Sequence, residues 1–148
     1  MITKELFHYV DNSIHDVDWQ DAIRIASAPL IKHKIVTNDF VDKLINETIR
    51  LGPYYILAPY IALGHISPDS SILQNSLSLT IFSKPIPFKD DTNHDVKFLF
   101  VLTSFDGNSH MEIMSNFASL ISNELFRSNL HKVKNYQDWF ILCSKHKE

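Results

Sequence analysis

Val96-Lys97-Phe98-Leu99-Phe100-Val101-Leu102 restricts the fold of this chain more than any other segment, because six of its seven residues are apolar. A run of this kind, rich in valine and phenylalanine, is expected of a strand covered on both faces in the middle of a sheet. The rest of the chain must therefore supply two covering layers. Leu77, Leu79 and Ile81 alternate with Ser78 and Thr80, which predicts a second strand with one face buried. Tyr54-Tyr55-Ile56-Leu57-Ala58, held between Pro53 and Pro59, predicts a short buried strand, and Ile61-Ala62-Leu63 is another short apolar run. Lys84-Pro85-Ile86-Pro87-Phe88 reads as extended chain confined to an edge, since proline cannot donate to a ladder.

The covering layers are legible as helices. Asp16-Val17-Asp18 offers a capping acid before Trp19, Ala22, Ile23, Ala26 and Leu30, which recur at helical spacing, and Pro29 is expected to bend or shorten that helix. Thr37 is expected to cap a second helix with an inward stripe of Phe40, Val41, Leu44, Ile45 and Ile49, stopped by Gly52-Pro53. After the central strand, Asp106-Gly107-Asn108-Ser109 forms a turn with potential caps. It leads into a helix expected to bury Met111, Met114, Phe117, Ala118 and Ile121. Two short helices, around 125–130 and 136–143, close the chain. This order predicts an α/β domain, a three-layer α/β/α sandwich with a small mixed β-sheet, as a single domain over residues 1–148.

Composition narrows the function. A net charge of −3 shows no electrostatic footprint for nucleic acid or anionic lipid, so small molecules or proteins are the expected partners. The amino-terminal segment lacks the apolar core of a signal peptide, and no apolar run approaches the roughly 20 residues that span a bilayer, so a cytoplasmic location is expected. The lone Cys143 can form no internal disulfide and reads as a partly buried thiol on the last helix.

Eight histidines remain to be placed. His8, His33, His131 and His146 lie in polar or terminal surroundings, and His15 and His94 in polar turns, so these six read as surface residues. His65 differs, because it ends an apolar segment directly after Gly64, a residue that permits unusual backbone. A rigid strand end is a good platform for a nucleophile. His110 follows the central strand where a helix begins, and free N–H groups at a helix start favour an anion. Two imidazoles at neighbouring strand ends could converge on one phosphoryl group. The spacing does not show that they meet, so core or surface histidines remain the competing reading. No Walker, Rossmann, Gly-x-Ser-x-Gly or His-Glu-x-x-His motif occurs. His65 and His110 with Asp69 or Asp106 imitate a metal set, but no close ligand spacing supports one, so neither metal nor cofactor is expected.

From Gly52-Pro53-Tyr54 through Ala58-Pro59 and Ile61-Ala62-Leu63 to His65, the chain resembles the active-site segment of mannitol/fructose-type enzyme IIA proteins of the sugar phosphotransferase system. The Gly-Pro-Tyr start is most like their ascorbate branch. The resemblance continues through Asp18 to Ile23, Ser76 to Leu79, Lys84 to Phe88, Asn93 to Val96 and Asp106 to His110, covering about residues 16–143. It implies the mannitol-type enzyme IIA fold and a phosphotransferase in which His65 accepts a phosphoryl group on Nε2 from phosphorylated HPr and passes it to a cysteine of enzyme IIB. The membrane component, enzyme IIC, is served indirectly. His110 matches the family's second histidine, which lines the same pocket and steadies the phosphate. Ascorbate or a pentitol is the sugar class the branch suggests, and ascorbate-type relatives often form homodimers.

Departures from the family pattern lie close to the motif. Tyr60 and Gly64 stand where the family usually has glycine and proline, both read as flanking the nucleophile. Ile66-Ser67 replaces a small residue and an arginine, and Asn93-His94-Asp95-Val96 replaces Asn-Asp-Pro-Val. Tyr60 and Ile66 are expected to offer apolar contacts to docking proteins. Two other readings keep parts of this pattern: a regulatory enzyme IIA-like phosphorylation sensor, and a degenerate, non-catalytic binding domain.

Overall fold

A computed structural model of the chain describes residues 2–146. Met1, Lys147 and Glu148, which the expected domain of 1–148 includes, lie outside the described residues. Five strands form one mixed sheet: β1 (Phe7–Val10), β2 (Ile56–Ala58), β3 (Tyr60–Gly64), β4 (Ser76–Pro87) and β5 (Asp95–Thr103). Their spatial order is β1-β4-β5-β3-β2, so the apolar run is central, as its composition requires. β5 runs antiparallel to β4 and parallel to β3. The parallel partner of β4, strand β1, is too short and too weakly patterned to have been read from sequence.

Five helices cover the sheet: α1 (Trp19–Lys32), α2 (Asp39–Leu51), α3 (Gly107–Ile121), α4 (Glu124–Leu130) and α5 (Tyr136–Lys145). Residues alternate across β5, so Phe100 meets Phe117 of α3 and Trp139 of α5, at 4.7 and 5.9 Å between ring centroids. On the opposite face, Leu99 and Leu44 of α2 both approach Gly64. The outcome is the expected three-layer α/β/α arrangement. α1 also packs over β4 and β5, bringing the small residues Ala22, Ala26 and Ser27 inward. Ser78 and Thr80 are consequently buried, contrary to the one-sided strand that their alternation suggested. The hydroxyl face of β4 lies under a helix rather than under water.

Helix ends follow local chemistry. Asp18 caps α1 by accepting from the Asp21 N–H at 2.8 Å. Pro29 does not shorten the helix, which continues to Lys32. It ends in a Schellman turn, with the Ile35 N–H on the Leu30 carbonyl, the Lys34 N–H on the Ile31 carbonyl, and Lys34 at φ 57° in the position glycine usually takes. The expected Thr37 hydroxyl cap on α2 is not made; its carbonyl accepts the Phe40 N–H instead. Ile49 is 63% exposed, because Thr48 takes the inward position and donates its hydroxyl to the Leu44 carbonyl. In α3, Met111 and Ala118 are exposed, while Phe117 and Ile121 are buried.

The two flanks of the sheet also differ from expectation. Tyr54 and Tyr55 belong to the turn after α2, and only Ile56–Ala58 form strand, half-buried at the outer edge beside β3. The proline segment is no separate edge strand but the end of β4. There β5 still pairs through Ile86 and Pro87, while the β1 ladder has already stopped at Phe82. Asn12 occupies the gap: its amide oxygen accepts the Lys84 N–H and its amide nitrogen donates to the Lys84 carbonyl, at 2.8 and 3.0 Å. Lys97, the one polar residue of the apolar run, extends its ammonium to the Phe82 and Ser83 carbonyls, where the β4–β5 register shifts.

Candidate active site

Strands β3 and β5 are parallel, so they end on the same side of the sheet, with Gly64 opposite Val101. His65 is the next residue after β3. Beyond β5, the chain turns through Ser104 to Asp106 and α3 brings His110 back toward it. The two imidazoles stand edge to face, 5.3 Å between centroids and 60° between planes. The structure therefore joins the pair that spacing alone left unjoined, at the carboxyl ends of neighbouring strands, where open α/β sheets commonly place ligands.

Nδ1 of His65 lies 2.6 Å from the Leu63 carbonyl oxygen. A carbonyl only accepts, so Nδ1 carries the hydrogen and Nε2 keeps its lone pair. Burial pushes the His65 pKa below the ordinary histidine value; the bond to Leu63 acts in the opposite direction, and the neighbouring His110 lowers it further. Both effects on the ring serve one chemistry, a neutral imidazole with an unprotonated outer nitrogen near neutral pH. Any reaction that uses this lone pair should lose rate on acidification with a midpoint below about 6.5. A pH profile of His65 phosphorylation checks the sign, and a midpoint above that value would contradict it.

Around this pair the walls are aromatic. Tyr54 donates its hydroxyl to the His65 carbonyl at 3.0 Å and sets its ring 5.6 Å from the imidazole. Tyr55 is 1% exposed and stands 6.5 Å from the same ring. Its hydroxyl meets Thr48 Oγ1 at 2.6 Å; since Thr48 donates to Leu44, Tyr55 is the donor in that pair. Nδ1 of His110 is buried and unpartnered among the described residues, so Nε2 is the nitrogen available to an incoming group. Sequence reading singled out neither tyrosine for a role, although both lie inside the matched motif.

The start of α3 is partly occupied by its own cap. Asp106 caps it, its carboxylate accepting the Ser109 N–H at 2.7 Å and the Ser109 hydroxyl at 3.1 Å. The Ser109 N–H holds that carboxyl below its usual range, and the same bond takes this donor from any phosphate. The His110 N–H is bonded to the Asp106 carbonyl. His110 thus offers its side chain, not the helix end, to a ligand. Cations line a neighbouring stretch: a cleft of about 310 Å³ beside Ile66 and Ser67 is lined by Lys43, Asn46, Glu47 and Arg50 of α2, and by Asp69. Lys43 pairs with Asp69 at 2.9 Å and Arg50 with Glu47 at 3.0 Å.

Several expected neighbours sit elsewhere. Tyr60 begins β3 while His65 follows its end, a separation of roughly 16 Å along the strand. It does not flank the nucleophile; its ring packs on His131 at 5.7 Å. Its φ of 68° is the left-handed conformation for which the family's glycine is suited. Gly64 is ordinary strand: its φ is not positive, and a Cβ there would meet only van der Waals contacts, the nearest 3.4 Å away. Ile66 is 5% exposed and so cannot be a docking contact. His131 also stands edge-on to Phe98, and His146 to Phe126, while Cys143 is half-buried on α5.

Comparison with known proteins extends this geometry. Residues 2–146 match the family profile described as phosphoenolpyruvate-dependent sugar phosphotransferase system, EIIA 2, and the chain belongs to that family. Members of this class are phosphotransferases that move a phosphoryl group through a histidine. The mannitol-specific cryptic phosphotransferase enzyme IIA component of Escherichia coli K12 is 30% identical over 107 residues, 72% of each chain. An ascorbate-specific EIIA component of the same organism is 28% identical, over 64% of this chain and 62% of its own length. The solution structure of the cryptic mannitol enzyme IIA, CmtB, superposes with a TM-score of 0.84 at 23% identity, covering 97% of this chain and 95% of that one. The E. coli complex of mannitol enzyme IIA with phosphorylated enzyme IIB has a TM-score of 0.78 at 15% identity, with 98% of each chain covered.

Proposed function

We propose that this chain, as a single domain over 1–148, is a cytoplasmic phosphocarrier that takes a phosphoryl group from HPr on His65 and delivers it to a cysteine of enzyme IIB. The observation that carries this reading is the His65 ring itself, with Nδ1–H committed to Leu63 and the ring of His110 at 5.3 Å. In the first step the Nε2 lone pair forms the N–P bond while the bond to the donor breaks and its electron pair leaves with the donor. In the second, the IIB sulfur takes the phosphorus and the pair returns to His65. His110 Nε2 steadies the phosphoryl oxygens during both displacements. Among the described residues no helix is long and apolar enough to cross a membrane, and the sugar is handled at enzyme IIC. Of the two sugar classes expected, ascorbate and a pentitol, the ascorbate-specific relative supports ascorbate.

Incubation with enzyme I, HPr and phosphoenolpyruvate, followed by mass spectrometry, tests the proposal. A labile adduct of one phosphate is expected, and its transfer to enzyme IIB separates a transport component from a regulatory sensor. Absence of any adduct with active donors would leave a non-catalytic binding domain.

Docking proteins would reach the site past Phe105 and Met111, which are 56% and 71% exposed beside the start of α3, rather than past Ile66 and Tyr60. Phe105→Glu is expected to raise the KM for HPr about tenfold, the size of a typical apolar interface anchor, while leaving the urea midpoint unchanged. An unchanged KM would place the docking surface elsewhere.

A further inference from the structure

Tyr54 makes two contacts to the same histidine from two parts of its side chain. Its hydroxyl donates to the His65 carbonyl at 3.0 Å, and its ring stands edge-on to the imidazole with centroids 5.6 Å apart. We propose that Tyr54 is a positioning residue for phosphoryl transfer, holding the His65 backbone and ring so that Nδ1–H stays on Leu63 and Nε2 stays bare. This inference rests on the carrier reading above for its kinetic consequence, but its structural claim concerns the unphosphorylated protein alone.

The physical argument begins with the tautomer. In neutral imidazole either nitrogen can carry the hydrogen, and which one does is set by the hydrogen bond the other atoms offer. Here one bond decides, between a side chain and a carbonyl only two residues back, and it forms only over a narrow range of backbone and side-chain angles at His65. β3 stops at Gly64, so the ladder that fixes the backbone on one side does not continue through His65. The Tyr54 hydroxyl supplies a restraint at that point: a carbonyl can only accept, so the phenol hydrogen is committed to the His65 C=O.

Tyr54 is itself held. It follows Gly52, whose φ of 76° ends α2, and Pro53. Its ring packs edge-on to Tyr55 at 5.2 Å, and Tyr55 is anchored in the core through Thr48 and Leu44. A chain of contacts therefore runs from the interior of α2 through two tyrosines to the nucleophile. Burial raises the Tyr54 pKa, so the phenol keeps its hydrogen wherever the neutral imidazole is in use. Tyr54 contacts the histidine's backbone and ring wall but no reacting atom.

Tyr54→Phe keeps the ring and removes the hydroxyl; Tyr54→Leu removes both. The first measurement is nitrogen NMR of histidine-labelled, unphosphorylated protein, with the His65 signal assigned by its loss in His65→Gln. Wild-type protein is expected to show protonated Nδ1 and bare Nε2, and Tyr54→Phe a mixture of tautomers, with Tyr54→Leu shifted further. The second is the rate of His65 phosphorylation at saturating HPr, expected to fall about fivefold in Tyr54→Phe, the effect of one hydrogen bond, with KM unchanged. An unchanged tautomer in both variants overturns the proposal, as does a raised KM at constant maximal rate, which would make Tyr54 a docking residue. Because the tautomer is read without any phosphoryl donor, a wild-type protein that takes no phosphate would defeat the carrier reading and leave this measurement standing.

Discussion

Alanine in place of His65 is expected to abolish the phosphate adduct altogether, a loss limited only by the sensitivity of the mass measurement. Among the described residues the nearest nitrogen nucleophile is His110. To steady the phosphoryl oxygens its Nε2 must carry the hydrogen, which leaves that nitrogen no lone pair with which to replace His65. The fold should survive, since His65 lies beyond the end of β3 and is only half-buried. His65→Gln keeps a polar side chain of similar size and gives the same expected result, which guards against attributing the loss to a collapsed site. Adduct formation by either variant, with the urea midpoint preserved, would mean that the phosphoryl group goes elsewhere and that His65 is not the carrier.

His110→Ala is expected to slow labelling about a hundredfold without preventing it. Removing one donor that stabilises developing charge in a prepared site typically costs two to three orders of magnitude, and the partly open position of His110 points to the lower end. A second signature follows from electrostatics. His110 is one of the causes that lower the His65 pKa, so its removal should move the acid limb of the rate profile upward, toward the ordinary histidine value. A slowed rate with an unmoved limb would point to lost packing at the start of α3. Full activity in His110→Ala would remove this residue from the site.

The central strand was legible because apolar composition over a strand's length leaves few other fates, and the first helix because Asp18 and a regular apolar stripe mark it from both sides. His65 and His110 were legible as candidates, but their meeting depends on β3 and β5 being parallel, and no local pattern reports strand direction. Ser78 and Thr80 misled because period two records which residues are apolar, not whether the polar face is covered by a second layer. Ile49 misled in a similar way: Thr48 can turn inward because its hydroxyl is satisfied by a carbonyl one turn back, and periodicity scores it as polar. The Asp106 cap was readable from sequence, yet its consequence, that the Ser109 N–H at the helix start is already taken, became clear only when the bonded atoms were seen.

The segment where β4 outruns β1 has a consequence for the life of such a molecule. An exposed strand margin is a template onto which another chain can zip, and associations of that kind tend to be lasting. Here Pro85 and Pro87 have no hydrogen to offer, and Asn12 holds both main-chain groups of Lys84, imitating with one amide the next residue of a neighbouring strand. The margin is blunted at Lys84 without lengthening the sheet. A protein whose work consists of brief encounters gains from this, because at this stretch the Lys84 groups onto which a visitor could zip are already held.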